Sequence, residues 1–136
     1  MATADDLNAF FTPLAPGLHG VVFDLVTRQR VEGHIDVTEP LIAGTGYLFA
    51  PAVISLADTL CAAGCGENIP EGASFTTIEL KSNFLASAQQ GQRVLGVATP
   101  THLGRQTHVW DVTVTNRETE RTMALFRCTQ MILPPR

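Results

Sequence analysis

The segment Pro51 to Gly66, PAVISLADTLCAAGCG, constrains this chain more than any other part of it. It opens on a proline where a first helical turn accepts one, and it ends at Gly64 or Gly66, where glycine takes a left-handed cap. A helix starting at Pro51 is the natural reading. Nearly every residue in it is Ala, Val, Ile, Leu or Cys, so the helix lacks the polar face of a surface helix and must be covered on most sides.

The material for that cover follows in sequence. Four β-like runs, SFTTIELKSNF, QRVLGVATPT, RQTHVWDVTVTN and RTMALFRCTQMIL, are each about twice the typical strand of 5 to 6 residues. The breaks QQGQ, HLGR and NRETER between them are short enough for antiparallel hairpins, which predicts one wide meander. Upstream, LHGVVFDLVTRQRVEGHIDV reads as two further strands around the polar bend TRQR. Asp5 and Asp6 cap a short helix over LNAFFTPL, ending near Pro13, which is expected to lie over the core as a flap. At about 3.3 Å per residue the long strands outreach a helix of about 21 Å, so a curled sheet can wrap it. A sheet covers one side only. The other side of so apolar a helix needs the flap or another copy of the chain, and dimerisation follows.

Composition narrows the function classes. The 136 residues, with 45% hydrophobic and 16% charged, suit a single α+β domain over 1–136. Nine basic residues against thirteen acidic ones give a charge of −4, and the single Lys and eight Arg stand one by one from Arg28 to Arg136. No basic stripe exists to track phosphates, which argues against nucleic acid. No apolar run approaches the roughly 20 residues of a membrane span, and the acidic start MATADDLNAFF is unlike an export signal. A cytoplasmic protein that does not enter the membrane is the expectation. Cys61, Cys65 and Cys128 read as small buried hydrophobes, and His19, His34, His102 and His108 are too scattered for a metal site. No G-x-S-x-G elbow, phosphate loop or dinucleotide fingerprint is present.

Within the apolar helix Asp58 alone can carry charge. A buried carboxylate without partners is costly, so this acid finds donors, shifts its pKa upward, or faces a cleft. A structural acceptor of hydrogen bonds and a catalytic group both satisfy that condition.

The string GYLFAPAVISLADTLCAAG, then FTTIELKSNFLASAQQGQRV, then a Gly-Arg pair and two long strands, resembles the PaaI-like thioesterases of the hotdog-fold superfamily. The likeness runs from about Gly44 to the end and implies a curled antiparallel sheet wrapped around the central helix. It also implies hydrolysis of an aryl or fatty acyl-coenzyme A thioester by a homodimer or a pair of dimers, with sites at the subunit interface and no metal or redox cofactor. By the resemblance, Asp58 is the helix carboxylate, acting as general base or as nucleophile. The backbone N–H of Ala50 takes the oxyanion position. Phe49-Ala50-Pro51 stands where the family has His-Gly-Gly or His-Ala-Gly, and Ala43 or a neighbour replaces an Asn or Gln. Thr77 maps onto a strand hydroxyl that positions water from across the interface in some relatives; otherwise it is an ordinary β-branched strand residue. Gly104 and Arg105 map near the region gripping the pantetheine arm or phosphates, with Lys81 as a weaker candidate; a solvated surface Arg is the alternative. Phe49, Phe84 and Trp110 either line an acyl pocket or fill the core. A hotdog protein that binds acyl-CoA or an apolar ligand without cleaving it is the second reading. A hydratase is the third, disfavoured because no His neighbours the helix.

Overall fold

The computed structural model describes all 136 residues. Helix α1 (Ala4–Phe11) and a short α2 (Ala15–Leu18) precede a hairpin of β1 (Val22–Val26) and β2 (Val31–Asp36). A 3-10 turn at Glu39–Leu41 leads to the central α3 (Ala50–Gly66), then β3 (Ser74–Phe84), β4 (Arg93–Leu103), β5 (Thr107–Asn116) and β6 (Thr122–Leu133). All strand pairs are antiparallel, in the order β1-β2-β4-β5-β6-β3. No helix is long and apolar enough to cross a membrane.

The long strands and the helix they surround stand as the sequence predicts, but the single meander does not. Of the four long strands, only β4-β5-β6 run as consecutive hairpins. β3 pairs with β6, with Leu80 opposite Cys128 and Phe84 opposite Ala124, so the segment holding QQGQ crosses from the sheet edge to its middle. The reason lies beneath the helix. β4 already has β2 on its other side, with Gly33 opposite Gly96. A Cβ on Gly33 would stand 2.7 Å from Leu60 and one on Gly96 equally close, so this glycine pair forms the groove in which Leu60 and Leu56 lie. Both leucines are fully buried, each contributing about 1.5–3 kcal/mol. At the other end of α3, Gly64 packs on the Trp110 ring, where a Cβ would come within 2.3 Å.

The sheet's two edges are treated differently. At β1, the Asn8 amide accepts from the Phe23 N–H at 2.7 Å and donates to the Phe23 carbonyl at 3.0 Å, which occupies backbone groups of the edge strand. This anchors α1 along β1, with Phe11 against Phe23 at 5.5 Å between ring centroids. The N-terminal helix therefore flanks the sheet edge, with Ala4, Leu7 and Phe11 packed against the core. The β3 edge carries no such cover, and Ile78, Leu80, Phe84 and Leu85 are exposed along and just beyond it.

Candidate active site

Ten residues of α3 are buried, among them Cys61 and Cys65. Between its exposed ends, the residues that are not buried, Ile54, Ser55, Asp58 and Ala62, follow one another at helical spacing and form a single partly exposed stripe. Asp58 is the only charge on it. Its Oδ1 accepts a hydrogen bond from Thr77 Oγ1 at 2.9 Å. The strand supplies that hydroxyl next to a β-bulge: the register with β6 shifts between Thr77 and Glu79, leaving Ile78 as the extra residue, half exposed on the edge. Bulges of this kind re-aim a side chain and end regular pairing. The Thr77 hydroxyl thus reaches the carboxylate within one chain.

At the helix start, Phe49 is the N-cap and offers no side-chain cap. Its own N–H donates to the Leu41 carbonyl at 2.8 Å, and the Ala52 N–H donates back to Phe49. Pro51 has no N–H to give. The Ala50 N–H is left exposed and without a protein acceptor at the positive end of the helix, the kind of donor that holds a developing oxyanion. Eight residues of helix separate Ala50 from Asp58, about 12 Å of rise, so one carbonyl cannot meet both within a single chain. Phe49, the residue immediately before this donor, is about half exposed.

The nearby thiols are not competing nucleophiles. Burial, with Cys128 beside it, pushes the Cys61 thiol well above its usual range, and burial raises Cys65 to about 12. All three cysteines are free and buried, as the sequence predicts.

The other candidate residues are dispersed. Gly104 and Arg105 form the β4–β5 turn, where the Gly104 N–H donates to the Thr107 carbonyl. A Cβ on Gly104 would strike the His102 ring. Arg105 borders a cavity of about 570 Å³ with Pro70, Gln106, Ile132 and Pro135. Lys81 lies on the outer sheet face opposite Arg127, bordering another cavity with Asp111. The single chain therefore does not bring Lys81 together with Arg105, nor either with Asp58. Trp110 is fully buried core, whereas Phe49 and Phe84 are exposed. None of the five main cavities is bordered by Asp58, Ala50 or Thr77. Their surroundings are the open stripe of α3 and the uncovered edge of β3. Two polar residues that sequence reading did not single out, His108 and Gln130, are buried side by side on β5 and β6; the period-2 pattern of β6 was the only signal for the second.

Residues 45–123 match the family described as the thioesterase superfamily. The chain is 30% identical to a 1,4-dihydroxy-2-naphthoyl-CoA hydrolase of Listeria monocytogenes over 81% of its own length and 88% of the relative's. It is 34% identical to the acyl-coenzyme A thioesterase PaaI of Escherichia coli, over 79% of this chain and 66% of PaaI. Among solved structures, a mutant thioesterase from Pseudomonas aeruginosa superposes with a TM-score of 0.92 at 25% identity, covering 98% of this chain and 96% of that one.

Proposed function

The chain belongs to the thioesterase superfamily, and from that premise we propose that it hydrolyses acyl-coenzyme A thioesters, with an aryl or fatty acyl group, at sites completed by a second copy of itself. The observation that carries this reading is the position of Asp58. The one charge of an apolar helix lies on the only stripe its own sheet leaves uncovered, oriented by Thr77.

The chemistry follows from those groups. The Asp58 carboxylate takes a proton from a water molecule, whose oxygen forms the new bond to the thioester carbon. The carbonyl oxygen becomes an oxyanion, held by the Ala50 N–H and the positive end of a helix. The C–S bond then breaks, and the sulfur leaves as a thiolate, which needs little acid assistance because free thiols have a pKa near about 8.5. In the variant form of this mechanism the carboxylate attacks directly and water opens the resulting anhydride. Because about 12 Å of helix separates the two groups, the Asp58 of one chain works with the partner's Ala50. Exposed Ile78, Leu80, Phe84 and Leu85 supply the apolar contact for such a dimer, and dimers can pair further. Arg105 is the cation assigned in this reading to the phosphates of coenzyme A, with Lys81 a second on another face. Phe49 and Phe84, exposed in one chain, are available to line the acyl pocket. Coenzyme A enters only as part of the substrate, and no metal or redox cofactor has a role.

The test is free-thiol release from a panel of aryl and fatty acyl-CoA thioesters. Wild-type protein is expected to turn over at least one, and Asp58→Asn to lose at least about 100-fold. Equal rates in the two proteins overturn the assignment. One observation favours a second reading, binding without cleavage: Phe49 occupies the position of the family's histidine. Co-purified acyl-CoA in native mass spectrometry, with no thioester hydrolysed, would establish that reading instead.

A further inference from the structure

The open stripe of α3 carries two side chains that can hydrogen-bond, Asp58 and Ser55; its other members, Ile54 and Ala62, are apolar. Ser55 precedes Asp58 by three residues, so the two are neighbours on one helix face, with Cβ atoms about 5–6 Å apart and about 4.5 Å of rise between them. Side chains on a helix lean toward its start, which tips the Asp58 carboxylate back over the turn that carries Ser55. Thr77 holds one carboxylate oxygen, Oδ1, from the β3 side. The two oxygens of a carboxylate diverge, so Oδ2 is turned away from Thr77 and keeps its capacity to accept.

The Ser55 hydroxyl is equally uncommitted. Two side-chain hydrogen bonds reach α3, from Asn68 to the Gly64 carbonyl and from Thr77 to Asp58, and Ser55 takes part in neither. A serine inside a helix either bonds back to the carbonyl four residues earlier, here that of Pro51, or turns outward, and Ser55 does the second. A gap of one helical turn between a hydroxyl and a carboxylate oxygen is too wide for a direct bond and fits a bridging water. Such a water has two hydrogens. With one given to Oδ2 and the other to Ser55 Oγ, its lone pairs face the open side of the stripe, where the thioester carbon arrives. Held by Asp58 alone, it would turn about a single bond and lose that orientation. A second copy over the stripe shuts out bulk water, so the attacking molecule has to be held by groups already there.

We propose that Ser55 and Asp58 hold the attacking water between them, Ser55 Oγ accepting from one of its hydrogens and Asp58 Oδ2 from the other. This rests on the thioesterase reading above and adds a residue to its machinery. In the step, Asp58 takes the hydrogen on its side and the water oxygen bonds to the acyl carbon. The C–S bond breaks with its electron pair on sulfur, and the proton on Asp58 passes to the thiolate or to solvent. The hydrogen shared with Ser55 stays on the new acid until that acid ionises, and Ser55 keeps its own proton throughout.

Two measurements test this. Ser55→Ala and Ser55→Thr are first assayed on an acyl-CoA thioester that the wild type cleaves. Alanine is the better helix former, so Ser55→Ala is expected to melt no lower than wild type while its kcat falls about tenfold, the scale of one hydrogen bond to the reacting water. KM should change little. Ser55→Thr, which keeps the hydroxyl, is expected to hold kcat within about threefold of wild type. A Ser55→Ala kcat equal to wild type, a loss carried by KM alone, or a Thr variant as slow as the Ala variant overturns the proposal. The second measurement is a high-resolution crystal structure of the ligand-free wild type and of Ser55→Ala. It is expected to show a water within about 2.6–3.2 Å of both Ser55 Oγ and Asp58 Oδ2 in the wild type and none there in the variant. That water in a protein that cleaves no thioester supports the pair and sinks the hydrolase reading. Its absence, or a Ser55 hydroxyl bonded to the Pro51 carbonyl, overturns the pair even in an active enzyme.

Discussion

Asp58 is legible from sequence because a single acid in an otherwise apolar helix needs an explanation whatever the fold. Its partner is less so, since Thr77 is one of many β-branched residues in a strand and only the bulge beside it turns its hydroxyl toward the carboxylate. Thr77 acts through Asp58 as a positioning residue. Thr77→Val is expected to lower kcat by about tenfold, the scale of one hydrogen bond to a charged group, with little change in KM, and Thr77→Ser to restore it. Steady-state kinetics on any cleaved thioester check this, and an equal loss in the Ser variant would deny the hydroxyl its role. Gln130 escaped the sequence reading for the opposite reason. A glutamine in a strand reads as outward-facing, and only its place in the inward series Ala124, Phe126, Cys128 reveals otherwise.

At the scale of elements, α3 and the four long strands could be read from composition and alternation because both patterns are local. Strand order could not. The QQGQ break has the length and polarity of a hairpin, and nothing local distinguishes a turn from a crossover. What decides is the pairing of β2 with β4, long-range in sequence, beneath a helix that needs a glycine groove. The helix-to-sheet contact is correspondingly intolerant. Gly64→Ala drives a methyl group into the Trp110 ring, and overpacking of this kind costs about 1–3 kcal/mol. Denaturant unfolding with an unchanged slope and a lower midpoint is the expected record. A midpoint equal to wild type would mean that α3 rises off the sheet more easily than this packing implies.

For the whole molecule, the contrast between the edges is the informative feature. Asn8 closes one edge of the sheet, while β3 leaves Ile78, Leu80 and Phe84 exposed at the other, next to the open stripe of α3. The need for a second cover was visible in the sequence as a helix without a polar face; which face stays uncovered required the strand order. A charge placed at the open edge, Ile78→Lys, is expected to convert a dimer to monomer in light scattering and to abolish thioester cleavage while the chain stays folded by circular dichroism. An active monomer would show that one chain holds a complete site.

The central claim is that a thioester carbonyl lies between the carboxylate of Asp58 and an N–H at a helix start. It is tested most directly by locating that carbonyl in a crystal structure of the Asp58→Asn protein with a bound aryl-CoA thioester. The account predicts the carbonyl oxygen within hydrogen-bond reach, about 2.7–3.1 Å, of an Ala50 nitrogen, and its carbon facing the side chain at position 58 directly or through one water. A thioester seated elsewhere, with position 58 facing only the Thr77 hydroxyl, would contradict it.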